Sequence, residues 1–260
     1  MILAVVWSIN IPNKYTSSML LMLNEDQQSQ GIDSDSQFGA LASLTGLGSG
    51  LEDKSSYVIE KLKSKDFSRK LMERRNFKKN LMASSYYDVE TEELFFDEKI
   101  INKDNGQWLI EEPSFMEFHK ALAERLRISK TDLGGFIKVS FSHLSPKFSY
   151  SVLQSVLIEI NEEERKLDLD KSISAIEFLN SRLATTPQVE VRKSINNLIE
   201  VQLKTQMMSN IEKDYLVRPL DSPFIPEEKS SPWRSLIVLL AGILAFLTSS
   251  LLYSFQHIRR

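Results

Sequence analysis

Residues Ser235 to Gln256 set the strictest condition on this chain: 22 consecutive positions hold no Asp, Glu, Lys or Arg, and twelve of them are Leu, Ile, Val or Phe. A helix of about 20 apolar residues, rising about 1.5 Å per residue, matches a hydrocarbon core of about 30 Å. Each such residue favours insertion by roughly 0.3–0.6 kcal/mol. The run therefore reads as a transmembrane helix over 235–256 with a short tail at 257–260. The alternative, a buried core helix, would need apolar cover on every face. Arg234 alone stands close before the run, whereas His257, Arg259 and Arg260 follow it. The basic-side rule then places the C-terminus in the cytoplasm.

The opening stretch, MILAVVWSINIP, carries no charge before Lys14. It is too short to cross a bilayer that needs about 20 apolar residues. It lacks the basic start and small-residue cleavage site of a signal peptide. Residues 1–12 read as the outer part of a first transmembrane helix whose beginning lies upstream, and a core strand is the other reading. Between the two ends, residues 13–234 have the charge content of a globular domain. A net charge of −3 gives no footprint for nucleic acid, and the absence of cysteine removes disulfides and thiol chemistry.

Lys14–Leu23 reads as a strand, and residues 24–50 as a polar, Gly/Ser-rich loop. Helices are expected from Lys54 and from Ser64, whose hydroxyl caps a segment with Phe67 and Leu71 facing inward. Residues 76–108 read as loop or hairpin with a turn at KDNGQW. Pro113 is placed to open a helix carrying Phe115, Phe118, Leu122 and Leu126. In FIKVSFSH the alternation of Ile137, Val139 and Phe141 with Lys138, Ser140 and Ser142 predicts a strand with one buried face. Ser145 and Pro146 then supply the N-cap and first turn of a long helix, about 146–184, some 60 Å in length. Its seam of Val152, Val156, Ile160, Ile173 and Ile176 is the candidate packing or oligomer face. The charged stretch NEEERKLDLDK, including Glu162–Glu164, is expected to be solvated. TTPQ ends this helix, a second helix returns, and DYLVRPL reads as a strand. Pro223, Pro226 and Pro232 stiffen the final approach.

No catalytic constellation emerges. The chain has no Gly-Lys-Ser/Thr phosphate loop after Gly46, Gly48 and Gly50 and no Gly-x-Ser-x-Gly elbow. His119, His143 and His257 lie in unrelated segments without metal-ligand spacing. No catalytic, cofactor-binding or metal residues are assigned, and the expectation is a protein that is not an enzyme.

The arrangement resembles the Wzz-type polysaccharide chain-length determinants, the polysaccharide co-polymerases. The carrying features are FIKVSFSHLSP opening the long helix and LDSPFIPEEKSSPWRSLIVLL entering the last span, with Pro223, Pro226, Pro232 and Arg234 as a membrane-entry motif. The chain departs from the family in its truncated first span, in holding only Gly242 within the last one, and in the unmatched segment Asn76–Trp108. The resemblance implies an α+β periplasmic domain with a small mixed sheet at the membrane-proximal base, a long helical hairpin, and transmembrane helices at both ends. It implies a non-catalytic homo-oligomer of the bacterial inner membrane. That oligomer would set the modal length of an O-antigen or related glycan, with a Wzy-type polymerase and the polysaccharide or its lipid carrier as partners. Two other readings stay open. One is a co-polymerase partner of a separate tyrosine kinase in capsule or exopolysaccharide export, and the other a periplasmic adaptor of a secretion pump.

Overall fold

The computed structural model describes residues 11–24, 51–74, 77–103, 105–131 and 135–243. The first strand, β1 (Tyr15–Leu23), alternates buried and half-buried side chains along its whole length. That pattern suits a strand covered on one face only. It lies inside a four-stranded sheet of order β4-β5-β1-β6, where β4 is Leu126–Lys130, β5 is Ile137–His143 and β6 is Val217–Asp221. Every neighbouring pair is antiparallel. The expected mixed sheet is thus corrected. β5 and β6 run the same way because an out-and-back helical pair joins them, but they flank β1 instead of pairing with each other. Pro219, which has no N–H to give, sits in β6 at the sheet edge.

Among the described residues, four helices precede β4. α1 (Leu51–Lys63) and α2 (Lys65–Arg74) meet at Ser64, whose Oγ accepts from the Phe67 N–H at 3.2 Å. α3 (Phe77–Met82) leads into the hairpin of β2 (Ser84–Tyr87) and β3 (Leu94–Phe96). At the KDNGQW turn Gly106 has φ +68°, a region open to glycine at little cost. α4 (Phe115–Arg125) is opened by Ser114 and not by Pro113: the Ser114 side chain accepts from Glu117 N–H, and the Glu117 carboxylate answers on the Ser114 backbone. This reciprocal cap fixes the start one residue beyond the proline. Leu126, expected on the same helix, instead begins β4, where it pairs with Phe141.

The core forms between the covered face of the sheet and the helices. Met19, Leu21, Ile137, Val139, Phe141 and Val217 meet Val152, Leu153, Val156 and Ile160 from α5 (Pro146–Thr185), with Val58, Phe67, Leu71 and Phe118 completing it. Fully burying each such side chain is worth about 1.5–3 kcal/mol. The opposite face carries Thr16 against Ser142, whose hydroxyls lie 2.7 Å apart. After α5 the chain turns at residues 186–188 and returns as α6 (Val189–Ile211). Arg192 donates to the Leu183 carbonyl at 3.1 Å, closing the carbonyl end of α5.

Residues 234–243 are helical. The remainder of the expected span over 235–256, the tail at 257–260, residues 1–10 of the expected first span and the loop at 25–50 lie outside the described residues. No helix among the described residues is long and apolar enough to cross a membrane.

Candidate functional site

Two regions gather the residues singled out in the sequence: the junction of the two chain ends, and the root and arm of α5. At the junction, Lys14 N–H donates to the Ser231 carbonyl and Ser230 N–H to the Lys14 carbonyl, each at 2.8 Å. Thr16 and Ser230 hydroxyls are 2.6 Å apart, and Ser17 donates to the Phe224 carbonyl at 2.6 Å. Arg234 reaches back with Nη2 to the Ile11 carbonyl (3.3 Å) and to Asn13 Oδ1 (3.1 Å). Of the three prolines, Pro226 is buried, while Pro223 and Pro232 are half-buried. Residues 11–17 and 224–234 are therefore laid side by side.

The root of α5 is built on His143 and Ser145. Ser145 Oγ accepts from the Phe148 N–H at 3.3 Å, with Pro146 in the first turn, and Ser149 donates to the Tyr15 carbonyl at 3.0 Å. His143, 2% exposed, accepts the Ser145 N–H at Nδ1. Its proton therefore resides on Nε2, which faces the Asn80 carbonyl and the Ser84 hydroxyl, both at 3.0 Å. Burial, with Arg125 nearby, pushes the imidazole down to about 3. Because the folded value lies below the unfolded one of about 6.5, the neutral ring stabilises the fold above that pH. The contribution falls by on the order of 1.4 kcal/mol per pH unit on acidification toward about 3. Denaturant titrations of wild type and His143→Gln at pH 7 and pH 4.5 should show the smaller acid loss in the variant.

Val152, Val156 and Ile160 are buried against the sheet, at 0–1% exposure. Ile173 is 43% exposed and Ile176 half-buried, so the second half of the seam does not pack on the base. The charged stretch is corrected in the other direction. Glu164 is buried and pairs with Lys61, with the Tyr57 hydroxyl donating to it at 2.7 Å. Glu163 lies 3.5 Å from Lys61 and 3.2 Å from Lys70. The basic side chains of α1 and α2 neutralise that helix face instead of water. Asn161, which sequence reasoning passed over as part of the polar stretch, is 2% exposed. Its Oδ1 accepts from Leu216 and Val217 N–H, and its Nδ2 donates to the Leu157 and Val217 carbonyls. A lone amide between apolar Ile160 and a charged run was the only available signal.

Beyond residue 164 only Ser172 of α5 is buried, and α6 buries only Ile195 and Ser209. Phe178, Val189, Leu198, Leu203, Met207 and Ile211 are exposed by 43–73%. Among the described residues no group of three or more His, Asp or Glu is placed to hold a metal ion.

No family model matches the chain. No curated protein matches it either. Among solved structures, a full-length bacterial polysaccharide co-polymerase matches at 10% identity and TM-score 0.37, covering 99% of this chain and 92% of that one. A fragment of WzzB, a polysaccharide co-polymerase from Salmonella Typhimurium, matches at 13% identity and TM-score 0.36 over 84% of this chain and 100% of that one. These structural neighbours are polysaccharide co-polymerases. A mutant of the Shigella flexneri lipopolysaccharide O-antigen chain-length regulator matches at 12% identity and TM-score 0.27, with coverages of 84% and 100%.

Proposed function

We propose that this chain is a non-catalytic polysaccharide co-polymerase. In this reading it is held in the bacterial inner membrane by a span at each end, with the bulk of the chain in the periplasm. It acts as a homo-oligomer that sets the modal length of a surface glycan made by a Wzy-type polymerase, in contact with the polysaccharide or its lipid carrier. The observation that carries the reading is the junction of the ends: Lys14, Ser230, Ser231 and Arg234 hold the two membrane-directed segments together beneath a sheet from which a 40-residue helix rises. The apolar side chains left open on that helix and its return partner supply a surface for neighbouring copies. The direct test is the lipopolysaccharide gel profile of a deletion strain with and without the gene restored. A modal cluster that disappears on deletion and returns on restoration is expected, and an unchanged ladder would refute the reading.

Ile173 separates assembly from folding. At 43% exposure, Ile173→Glu should change the stability of the isolated chain by no more than about 0.5 kcal/mol. In the oligomer it should split the contact between copies, reduce the cross-linked assembly and broaden the glycan distribution while polymer is still made. Glu177→Gln, exposed on the same helix, should leave assembly and modal length as they are.

A further inference from the structure

Beside the junction, and sharing Asn13 and Arg234 with it, lies a cleft of about 360 Å³. Its floor and walls include Asn13, Tyr15, Ser85, Tyr86, Tyr87 and Arg234. The composition is one-sided. Among the described residues that line it, Arg234 is the one charged group, four side chains bear hydroxyls, and there is no carboxylate. The nearby Glu92 is paired with Lys147. Arg234 is held through Nη2, which bonds Ile11 and Asn13; Nε is buried and meets no acceptor among the described residues, so an anion in the cleft is met by Nη1. A guanidinium fixed in this way keeps donors for an anion without further loss of side-chain freedom. Tyr15 and Tyr87 pack edge to face with centroids 6.0 Å apart, and Tyr86, 56% exposed, leans on Phe95. Burial, with Glu92 beside it, raises the Tyr87 phenol, so it remains a donor.

We infer that this cleft binds a phosphate ester at the membrane surface, with Arg234 meeting the phosphate oxygens and the Tyr86 and Tyr87 hydroxyls donating around it. The inference rests on reading 235–256 as a membrane span, because Arg234 then stands at the headgroup level, where tyrosine rings and basic side chains are both favoured.

The test uses the full chain purified in detergent, with phosphatidylglycerol, an uncharged diacylglycerol of equal chain length, and inorganic phosphate as probes. Lipid retained per protein is read by native mass spectrometry. Wild type should retain phosphatidylglycerol at least about tenfold over diacylglycerol. Arg234→Gln should abolish that preference, and the double variant Tyr86→Phe/Tyr87→Phe should reduce it severalfold. Lys229→Gln, an exposed cation outside the cleft, should not alter it. Competition by millimolar inorganic phosphate would assign the phosphate group alone as the ligand, and failure to compete would assign the lipid-borne ester. Equal retention of the two lipids by wild type, or a full preference in the tyrosine double variant, overturns the site. The double variant decides the matter even if loss of the Arg234 tie unfolds the junction. Flotation with liposomes separates the two readings: a chain that does not float removes the membrane reading and the site with it, whereas a floating chain without headgroup preference removes the site alone.

Discussion

Lys61→Met should destabilise the chain by about 3–5 kcal/mol. Its side chain is 11% exposed, and its ammonium meets both Glu163 and Glu164, the latter only 8% exposed at its side chain. Methionine fills much of the same volume but leaves the Glu164 carboxylate in a low-dielectric site with the neutral Tyr57 hydroxyl donating to it and no cation in place of the ammonium. The cost is that of an ion stripped of its counterion, which exceeds the net worth of the pair itself. Removing both charges in Lys61→Met/Glu164→Leu should therefore recover most of the loss. Denaturant unfolding of wild type, both single variants and the double gives the coupling directly. A double variant no more stable than Lys61→Met would show that the network contributes through its hydrogen bonds instead. Burial opposes the Lys61 charge, but the bond and attraction of Glu164 outweigh it and raise the ammonium above its ordinary value. A raised folded value means that this contribution is fully present below the unfolded pKa of about 10.4 and is lost only above it. The difference between wild type and Lys61→Met should accordingly stay flat from pH 6 to about pH 9.

The second large effect is expected at Asn161. Its amide supplies partners for the backbone at the start of β6. Leu216 and Val217 N–H are taken at 2.7 and 2.9 Å, and the Val217 carbonyl is taken at 2.9 Å. Asn161→Leu keeps the volume and leaves these three backbone groups in the core without acceptor or donor. At about 1–3 kcal/mol for each buried unsatisfied group, a loss of about 4 kcal/mol is expected. Hydrogen exchange gives a sharper readout than melting alone: the amides of residues 216 and 217 should lose protection before those of β5. Asn161→Asp, which retains the acceptor but turns a donor into a charge at 2% exposure, should be no better tolerated. Wild-type protection at 216 and 217 in either variant would contradict the assigned role.

What could be read from the sequence was local, and what could not was paired at long range. The alternation of Ile137, Val139 and Phe141 gives the strand and its buried face from seven residues of context. Ser145, Pro146 and the lack of further proline or glycine give the start and length of α5. The cap at Ser64 is equally local. By contrast, Glu164 looks solvated when only its helix is considered, and its partner Lys61 lies 103 residues earlier. Leu126 fits the apolar spacing of α4, and nothing nearby reveals that Phe141 draws it into β4. The Ser114–Glu117 box was present in the sequence but was overshadowed by Pro113. The seam of α5 was read as continuous because Ile173 and Ile176 keep its spacing. The sheet that covers Val152 to Ile160 does not extend that far. At the junction, the prolines and Arg234 were visible as a motif, but the bonds of Arg234 to Ile11 and Asn13 and of Ser230 and Ser231 to Lys14 cross more than 200 residues of chain. Tyr15, Tyr86 and Tyr87 carried no signal of belonging together.

The inner position of β1 also sets an order of events during synthesis. This strand leaves the ribosome first, yet Thr16 waits 126 residues for Ser142, and Asn24 waits 190 for Asp214. At about 5–20 residues per second, the second interval lasts roughly 10–40 s. Until β5 has emerged, Met19, Leu21 and Leu23 have no sheet to join, and the strand's unmet backbone groups can pair with any other extended segment. Closing so long a loop adds only about 0.6 kcal/mol for each doubling of its length, so the delay affects timing far more than final stability. A nascent chain of this design gains from a holding factor, and the sheet can close on both sides of β1 only after α5 and α6 have been made.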